Sequence, residues 1–437
     1  MSRTPSFKSN ALLDPRLAWR GGTYAFGDDL WQAYSVDASR ASMSTRTTDF
    51  VVPALPVEFH CHGVSGIDFS DFKSLDLDKL EKTLRKEGVY CVPTLYLPRA
   101  DLEDFLAFME AFSRRRQAKS FTNILGIALE GPLFSCFGGT PRIGVWAPTK
   151  DQWRKLAECG PLGLLYMVLS PDAMLPGSKL AHELTPSHPT LEWIVQVLLE
   201  NGVRPALGHF LKTDPAASAA CVEAVFATAD RMRMDRYAGH VVTDHLFNDM
   251  PCNVRFSWRR PADRVRRDAD IAALRIHEWT LSNLPQRLGP VPATIVQGAI
   301  DGHLAMCINF DGEHVDLDIS KRIVELVGSR SIVAMTDRCE SNFLGGQKLT
   351  ALDGGSLLYQ ADGIVAAGSQ TIDGVMKNMS DVGMEVADIW EMAAFNPLRV
   401  LGLEATAASP PHAFSYVTPS HGRIGVYASD LAPEQKA

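Results

Sequence analysis

The stretch Val51-Val-Pro-Ala-Leu-Pro-Val-Glu-Phe59 is an apolar run that leads directly into His60-Cys61-His62. In a β-strand, residues i and i+2 point to the same face, so both imidazoles can reach one point while Cys61 faces away. Imidazole is a common metal ligand, and a strand end next to the Gly-rich loop 63–66 suits a catalytic metal. Two histidines that are simply packed or hydrogen-bonded at a strand end are the alternative.

The same kind of apolar run recurs seven more times. These runs lie at 89–97, 124–129, 162–169, 204–208, 240–243, 306–311 and 331–336. Amphipathic stretches separate them, for example at 75–86, 102–119, 151–158, 191–201 and 319–327. Thr190 and Asp318 are expected helix N-caps, and Gly88, Gly202 and Gly328 are expected helix stops. Short, nearly continuous apolar strands that alternate with helices predict a (β/α)₈ TIM-type barrel over residues 51–402, with a doubly wound open sheet as the alternative.

The two ends of the chain differ from this rhythm. Residues 1–50 contain Gly21-Gly22 and short alternating pieces, and residues 403–437 are rich in Ala, Pro and Ser. We expect 1–50 and 403–437 to form the two parts of one small β appendage, which ends in a polar tail.

Composition excludes several classes of function. The net charge of −8 over 437 residues gives no electrostatic footprint for nucleic acid or an anionic membrane. Eight dispersed cysteines without a CxxC pair indicate a reducing compartment rather than a disulfide framework. No run of about 18 apolar residues could span a bilayer, and the first residues lack an apolar signal core. We therefore expect a cytoplasmic protein.

Residues able to bind metal or move protons stand at the ends of the predicted strands. They are His60, His62, Glu130, His209, His245 and Asp337. In a barrel of this type, the working residues lie at the carboxyl ends of the strands. Several imidazoles with a carboxylate hold a divalent metal, which lowers the pKa of water towards ~7, and a free aspartate can carry the proton to a leaving amine. This pattern predicts metal-assisted hydrolysis. At the sixth strand, His240 is a weaker candidate ligand than His245.

At this point the sequence resembles the N-acetylglucosamine-6-phosphate deacetylases of the amidohydrolase superfamily. The resemblance rests on motifs in order: His60-Cys-His-Gly63, Leu129-Glu-Gly-Pro132, Leu169-Ser-Pro-Asp172, Gly208-His209, His245-Leu-Phe-Asn-Asp-Met250, Asp311-Gly-Glu-His-Val315, Thr336-Asp337, Gly368-Ser369 and Asn396-Pro397. It implies a metal-dependent barrel that deacetylates an N-acetyl amino sugar, such as N-acetylglucosamine 6-phosphate, as a homodimer.

The resemblance also implies roles for individual residues. Glu130, His209 and His245 would hold the principal metal, and His60 with His62 a second one. Metal-bound hydroxide would attack the acetyl carbonyl. Asp337 would act first as general base towards the water and then as general acid towards the leaving amine. Asn248, the backbone around Asp249, and His314 would meet the sugar and its polar tail. Zn²⁺ is the expected metal, one or two ions, and Fe²⁺, Mn²⁺ or Co²⁺ fit the same ligands.

The sequence departs from the family pattern at the pocket wall. Trp146 stands where a carbonyl-polarising histidine is usual, and an indole cannot replace an imidazole. Asp244 interrupts the usual Thr-His pair, and the arginine that would meet phosphate has only Arg255 or Arg259 as candidates. An amidohydrolase acting on another amide or cyclic amide in a specialised pathway is therefore the second hypothesis. A non-catalytic relative is the third, against which the retained Asp337 argues.

Overall fold

The computed structural model describes residues 7–26, 32–34, 49–404, 413–418 and 422–428. Its centre is a sheet of eight parallel strands that follow one another in chain order. The strands are β1 (Val57–Cys61), β2 (Tyr90–Leu95), β3 (Ile127–Glu130), β4 (Leu164–Leu169), β5 (Arg204–Leu207), β6 (Val242–His245), β7 (Ala305–Asn309) and β8 (Ile332–Met335). Nearly all their residues are buried, as expected of strands covered on both faces.

One principal helix follows each strand. These helices are α1 (Leu77–Glu87), α2 (Leu102–Gln117), α3 (Lys150–Ala157), α4 (Leu191–Glu200), α5 (Pro215–Arg231), α6 (Pro290–Ile300), α7 (Leu317–Val327) and α8 (Ile372–Asp381). Thr190 caps α4 as predicted, because its side chain accepts a hydrogen bond from the Trp193 N–H. Gly88 ends α1 with φ +66°, a left-handed conformation that glycine adopts without steric cost.

The sheet closes into a barrel between β1 and β8. Cys61 forms a parallel bridge with Arg338, and the His62 N–H donates to the Arg338 carbonyl at 2.7 Å. Below this bridge, Thr336 Oγ1 donates to Glu58 at 2.6 Å. The predicted (β/α)₈ barrel is confirmed, and the doubly wound open sheet is excluded.

A second sheet combines segments from both ends of the chain. Its strands, in spatial order, are Gly422–Ala428, Ala413–Thr418, Phe50–Val52, Phe7–Leu13, Trp19–Phe26 and Gln32–Tyr34. The predicted small β appendage is thereby confirmed. The boundaries 1–50, 51–402 and 403–437 stay a prediction, and much of the first and last segments, including the polar tail, lies outside the described residues.

The remaining elements are short. Small strands lie at Gly63–Val64, Ile67–Asp68, Phe343–Leu344, Gln347–Lys348, Thr350–Ala351, Leu357–Tyr359 and Val365–Gly368. Short helices lie at Arg99–Asp101, Arg142–Gly144, Pro261–Arg264, Arg267–Leu274, Ile276–Glu278, Leu284–Leu288, Ser329–Ser331, Val386–Trp390, Glu391–Phe395 and Asn396–Val400. Over the described part of the chain, helices with the length and apolar character needed to cross a membrane are absent.

Three local predictions were wrong. The run 51–59 is not one strand: Phe50–Val52 belongs to the terminal sheet, and β1 begins at Val57. Pro53 and Pro56 lack the N–H that a continuous ladder needs, which explains the break. The cap of α7 is Asp316 rather than Asp318, because Asp316 accepts from the Asp318 N–H. The strand predicted at 240–243 lies two residues later, at Val242–His245.

Candidate metal centre

The barrel gathers the predicted reactive residues at one end. Glu130 and His245 are the last residues of β3 and β6, and His209 and Asp337 lie two residues beyond β5 and β8. All four side chains are buried, as are His60 and His62 at the end of β1. The structure therefore brings all six residues together.

Several residues of this end have unusual backbone angles. The φ values of His209, Phe247, Asp249 and Asp337 are +53°, +72°, +45° and +53°. Residues other than glycine adopt this left-handed region at a cost of about 1–3 kcal/mol, and such residues concentrate at functional sites. The surrounding packing must therefore impose the turns that aim these residues.

Glu130 is the central carboxylate of the site. Its Oε1 lies 3.0 Å from His209 Nε2, and its Oε2 lies 2.9 Å from His62 Nε2 and 3.2 Å from His60 Nε2. The two histidines of β1 meet as predicted, with their Nε2 atoms 3.2 Å apart. Cys61 points away, because its Sγ lies against backbone carbonyls on the other side.

A second carboxylate, Asp244, stands beside this group. Its Oδ2 lies 3.2 Å from Nε2 of both His209 and His245, and its Oδ1 lies 3.5 Å from His60 Nδ1. Neighbouring residues of a regular strand face opposite ways. The register between β6 and β7 is irregular from Val242 to His245, and such a bulge lets Asp244 and His245 reach the same site.

Asp337 connects the histidine pair of β1 to the buried pair His314 and Asp311. Its Oδ1 lies 3.3 Å from His62 Nε2, and its Oδ2 lies 3.4 Å from His314 Nε2. His314 Nδ1 is 2.5 Å from Asp311 Oδ2, and Asp311 Oδ1 also accepts the backbone N–H of His314. Asp311 therefore fixes the orientation of the imidazole that faces Asp337.

Burial and mutual charge shift the pKa values in opposite directions. Burial alone would raise the pKa of Glu130, yet hydrogen bonds from His209, His60 and His62 bring it well below its ordinary value. Burial would likewise raise the pKa of Asp337, but His314 and His62 lower it overall. Burial lowers the pKa of His314, whereas the Asp311 carboxylate raises it more, to about 9. The carboxylates are therefore ionised at neutral pH and attract positive charge.

The residues present fit a divalent cation. The candidate ligand atoms of Glu130, His209, Asp244 and His245 all lie within 4.8 Å of one another, and those of His60, His62 and Asp337 form a second such group. Both Asp244 oxygens are buried and accept no hydrogen bond, and His209 Nδ1 and His245 Nδ1 also lack a hydrogen-bond partner. A buried carboxylate that accepts no hydrogen bond is costly unless a cation compensates its charge. The donor set, imidazole and carboxylate, suits Zn²⁺ and its neighbours.

A cavity of about 500 Å³ opens above this centre. Glu130, His209, His245, His314 and Asp337 line it, together with the predicted substrate residues Asn248 and Asp249. Arg259 also lines it and donates to Asn248 Oδ1 at 2.5 Å and to the His314 carbonyl at 3.3 Å. This volume lies in the usual range for small-molecule sites.

Three sequence candidates lie elsewhere. Trp146 is buried and donates its indole N–H to the Leu97 carbonyl at 2.8 Å, and it does not line the cavity. Arg255 lies on an adjoining groove and pairs with Asp263 at 2.9 Å. His240 precedes β6, five residues before His245, and joins neither ligand group. A role for Trp146 or Arg255 in binding substrate stays a prediction.

Sequence reasoning missed three residues of the site. Tyr96 donates its hydroxyl to Glu130 Oε2 at 2.9 Å, and its ring stacks on His62 with centroids 5.0 Å apart. Thr140 donates to Glu130 Oε1 at 3.0 Å. Asp244 is the third, and in the sequence it stands out only as an interruption of the usual Thr-His pair. Tyr96 follows the end of β2, so the strand-end rule could have identified it.

No family model and no curated protein sequence matches this chain. Solved structures do match it over nearly their whole length. They include N-acetyl-D-glucosamine-6-phosphate deacetylase from Mycobacterium smegmatis, at 18% identity, TM-score 0.66 and 98% coverage of each chain. The enzymes from Pasteurella multocida (14%, TM-score 0.67, 97% of each chain) and Thermotoga maritima (15%, TM-score 0.66, 97% of this chain and 98% of that chain) are similar to the same degree. The chain thus has the fold of these deacetylases, barrel and terminal sheet together.

Proposed function

We propose that this protein is a metal-dependent amidohydrolase that removes the acetyl group from an N-acetylated amino sugar, N-acetylglucosamine 6-phosphate or a related derivative. The observation that carries the proposal is the buried centre of imidazoles and carboxylates at the carboxyl ends of the barrel strands, with Asp337 beside it. The full-length likeness to structures described as N-acetylglucosamine-6-phosphate deacetylases supports this choice of amide.

Two ligand sets follow from the grouping of the side chains. Glu130, His209 and His245 would hold the principal metal, and Asp244 would join them as a further ligand. His60 and His62 would hold a second ion, with Asp337 at its edge and Glu130 between the two sets. With neutral imidazoles, Glu130, Asp244 and Asp337 bring three negative charges into a buried volume, which favours one or two divalent cations.

Asp337 would move the proton. When bound, a divalent metal polarises the amide carbonyl and activates water. Asp337 is ionised at neutral pH because its pKa is lowered, so it can take the proton of the attacking water. It would then donate that proton to the leaving amine nitrogen. The protonated His314, held by Asp311, would keep the Asp337 carboxylate in place.

Arg259 is the best candidate to hold an anionic group of the substrate. It reaches the cavity from beside Asn248, and burial lowers the pKa of its guanidinium. Among the described residues, no carboxylate lies within ion-pair distance of Arg259. A guanidinium without a carboxylate partner suits a phosphate, which it can bind in a bidentate manner. Asn248 and the backbone of Asp249 would meet the sugar hydroxyls.

Acetate release tests the proposal. Purified protein reconstituted with Zn²⁺ is expected to release acetate from N-acetylglucosamine 6-phosphate, and removal of the metal by a chelator is expected to abolish the activity. N-acetylglucosamine without phosphate is the comparison substrate, because its turnover shows how much the proposed contact between Arg259 and the phosphate contributes. Bound metal without turnover of any N-acetyl sugar would contradict the choice of substrate, and absence of bound metal would contradict the proposal as a whole.

A hydrolase for a different amide or cyclic amide is the second candidate. The loop after Glu130 contains no histidine before α3, and Trp146 of that loop points to the Leu97 carbonyl instead of the cavity. An imidazole from this loop is therefore not available to polarise an acetyl carbonyl. A screen of N-acyl and cyclic amides under the same conditions distinguishes the two.

Zn²⁺ is the proposed ion because the ligands are imidazoles and carboxylates. The described cysteines are all free, which fits a reducing cytoplasm. A homodimer is proposed from the family resemblance, and sedimentation of the purified protein tests it.

Asp244→Asn is expected to weaken metal binding at the principal set by about 100-fold, since both oxygens of this buried carboxylate accept no hydrogen bond and face the candidate ligand imidazoles. The amide keeps the shape of the side chain and removes its charge. Chelator competition with metal analysis measures the affinity, and the visible spectrum of the Co²⁺ form reports a changed ligand set independently of activity.

The double variant His60→Asn with His62→Asn is the matched comparison. It is expected to lose one metal equivalent while the principal set keeps its ion. If Asp244→Asn binds metal as tightly as the unaltered protein and gives the same Co²⁺ spectrum, Asp244 is not a ligand.

A further inference from the structure

A second cavity adjoins the catalytic one. This side groove, about 670 Å³, is lined by Lys179, Lys212, Arg255, Arg259 and Arg260, among others. Lys212 and Arg259 also line the central cavity, so the two spaces share a wall. The groove therefore lies directly beside the space above the metal centre.

The side groove carries an excess of positive charge. Among the described residues that line it, five cations face two carboxylates: Asp249, which pairs with Lys212 at 3.2 Å, and Asp263, which pairs with Arg255 at 2.9 Å. Within the described chain, Lys179, Arg259 and Arg260 have no carboxylate at ion-pair distance. Such an unbalanced positive groove in a protein of net charge −8 attracts anions locally.

The position of the charges indicates a ligand with two anionic centres. Arg259 lies at the border of the two spaces and can hold the first. Arg260 and Lys179 line only the side groove, and a single phosphate bound at Arg259 leaves both without an anionic partner, although Lys179 Nζ lies over the Phe137 ring. The central cavity alone is large enough for a sugar monophosphate, so the groove offers additional volume as well as additional charge.

We propose that the side groove binds the second phosphate of a diphosphate ester, so that the preferred substrate is an N-acyl amino sugar linked to a diphosphate, as in nucleotide sugars. The inference rests on the proposed function, because that function places the amide at the metal centre and the anionic end at Arg259. Arg260 and Lys179 set this specificity and take no part in the chemistry.

Binding of ligands without an acetamide tests the proposal without turnover. Calorimetry on the metal-loaded protein is expected to give a dissociation constant for UDP-glucose about tenfold or more below that for glucose 1-phosphate. ADP-glucose is expected to match UDP-glucose, since the groove recognises the diphosphate. Equal affinities for UDP-glucose and glucose 1-phosphate overturn the proposal.

Charge-removing variants locate the effect. Arg260→Met and Lys179→Met are each expected to weaken UDP-glucose binding about five- to tenfold and to leave glucose 1-phosphate binding unchanged. Arg287→Met, an arginine outside both cavities that pairs with Glu278, is the matched control and is expected to change neither. Unaltered UDP-glucose affinity in both groove variants also overturns the proposal.

The two proposals fail separately. If no N-acetyl sugar is hydrolysed but UDP-glucose binding depends on Arg260 and Lys179, the proposed deacetylation is wrong and the diphosphate site stands. If N-acetylglucosamine 6-phosphate is hydrolysed while the groove variants bind UDP-glucose normally, only the diphosphate site is wrong.

Discussion

Asp337→Asn is expected to lower kcat for acetate release from N-acetylglucosamine 6-phosphate by about 10³-fold. Asp337 is buried, ionised and 3.3–3.4 Å from the imidazoles of His62 and His314. An asparagine at this position keeps the shape and can neither take a proton from water nor pass one to the amine. Because the Asp337 carboxylate transfers a proton in the chemical step and is not assigned to substrate binding, KM is expected to change much less than kcat.

Metal analysis of the same variant separates two roles of Asp337. Retained metal with lost turnover supports the role as proton carrier, whereas loss of one metal equivalent would assign Asp337 to the second ligand set. Asp151→Asn, an exposed aspartate paired with Arg154, is the control and is expected to keep full activity. A rate for Asp337→Asn within threefold of the unaltered protein would contradict the proton-carrier role.

Much of the fold could be predicted because the barrel imposes a strong pattern on the sequence. Each parallel strand is covered on both faces, so it is a short continuous apolar run, and the amphipathic helices between the runs identify the alternation. The exact strand limits depend on pairing rather than on composition. The run that begins at Val51 is divided between two sheets by Pro53 and Pro56. The partner strands of both sheets lie far away in the sequence, so a short stretch of sequence does not reveal the division.

The site could be predicted as far as the strand-end rule applies. That rule found His60, Glu130, His209, His245 and Asp337 without any distance information. The role of Asp244 depends on the bulge between β6 and β7, which is set by the partner strand. In the same way, the family resemblance places Trp146 at the pocket wall, but the loop turns its indole towards the Leu97 carbonyl. Loop direction and strand register are tertiary properties, and a single sequence does not contain them in readable form.

Substrate recognition was the least predictable part. Arg255 and Arg259 stand four residues apart in one basic run, and the sequence offered no means to choose between them. In the structure, Asp263 neutralises Arg255, whereas Arg259 turns towards Asn248 and the central cavity. The difference arises from the path of residues 254–260 across the barrel end, which brings one arginine inward and leaves the other on the groove rim.

Arg338→Met is expected to destabilise the protein by about 3–5 kcal/mol, because it breaks a buried ion pair and leaves one charge behind. Arg338 is 2% exposed and donates to Glu58 at 3.1 Å and to Glu87 at 2.9 Å, next to the closure of the barrel between β1 and β8. Glu58 is fully buried, so its carboxylate would have no counter-charge in the variant. Urea unfolding of the metal-free protein measures the loss.

The expected pH dependence identifies Glu58 as the cause. Burial raises the pKa of Glu58 above its ordinary value even with Arg338 beside it, and loss of Arg338 raises it further. A carboxyl whose folded-state pKa is raised binds more protons in the folded than in the unfolded state, so its contribution to stability falls as pH rises above about 4.3. The destabilisation by Arg338→Met is therefore expected to be larger at pH 8 than at pH 5. The double variant Glu58→Gln with Arg338→Met should recover much of the lost free energy of unfolding. Arg154→Met, which removes an exposed ion pair, is the control and should lower the free energy of unfolding by less than about 1 kcal/mol. A cost for Arg338→Met no greater than that for Arg154→Met, at both pH values, would mean that the barrel closes without help from this ion pair.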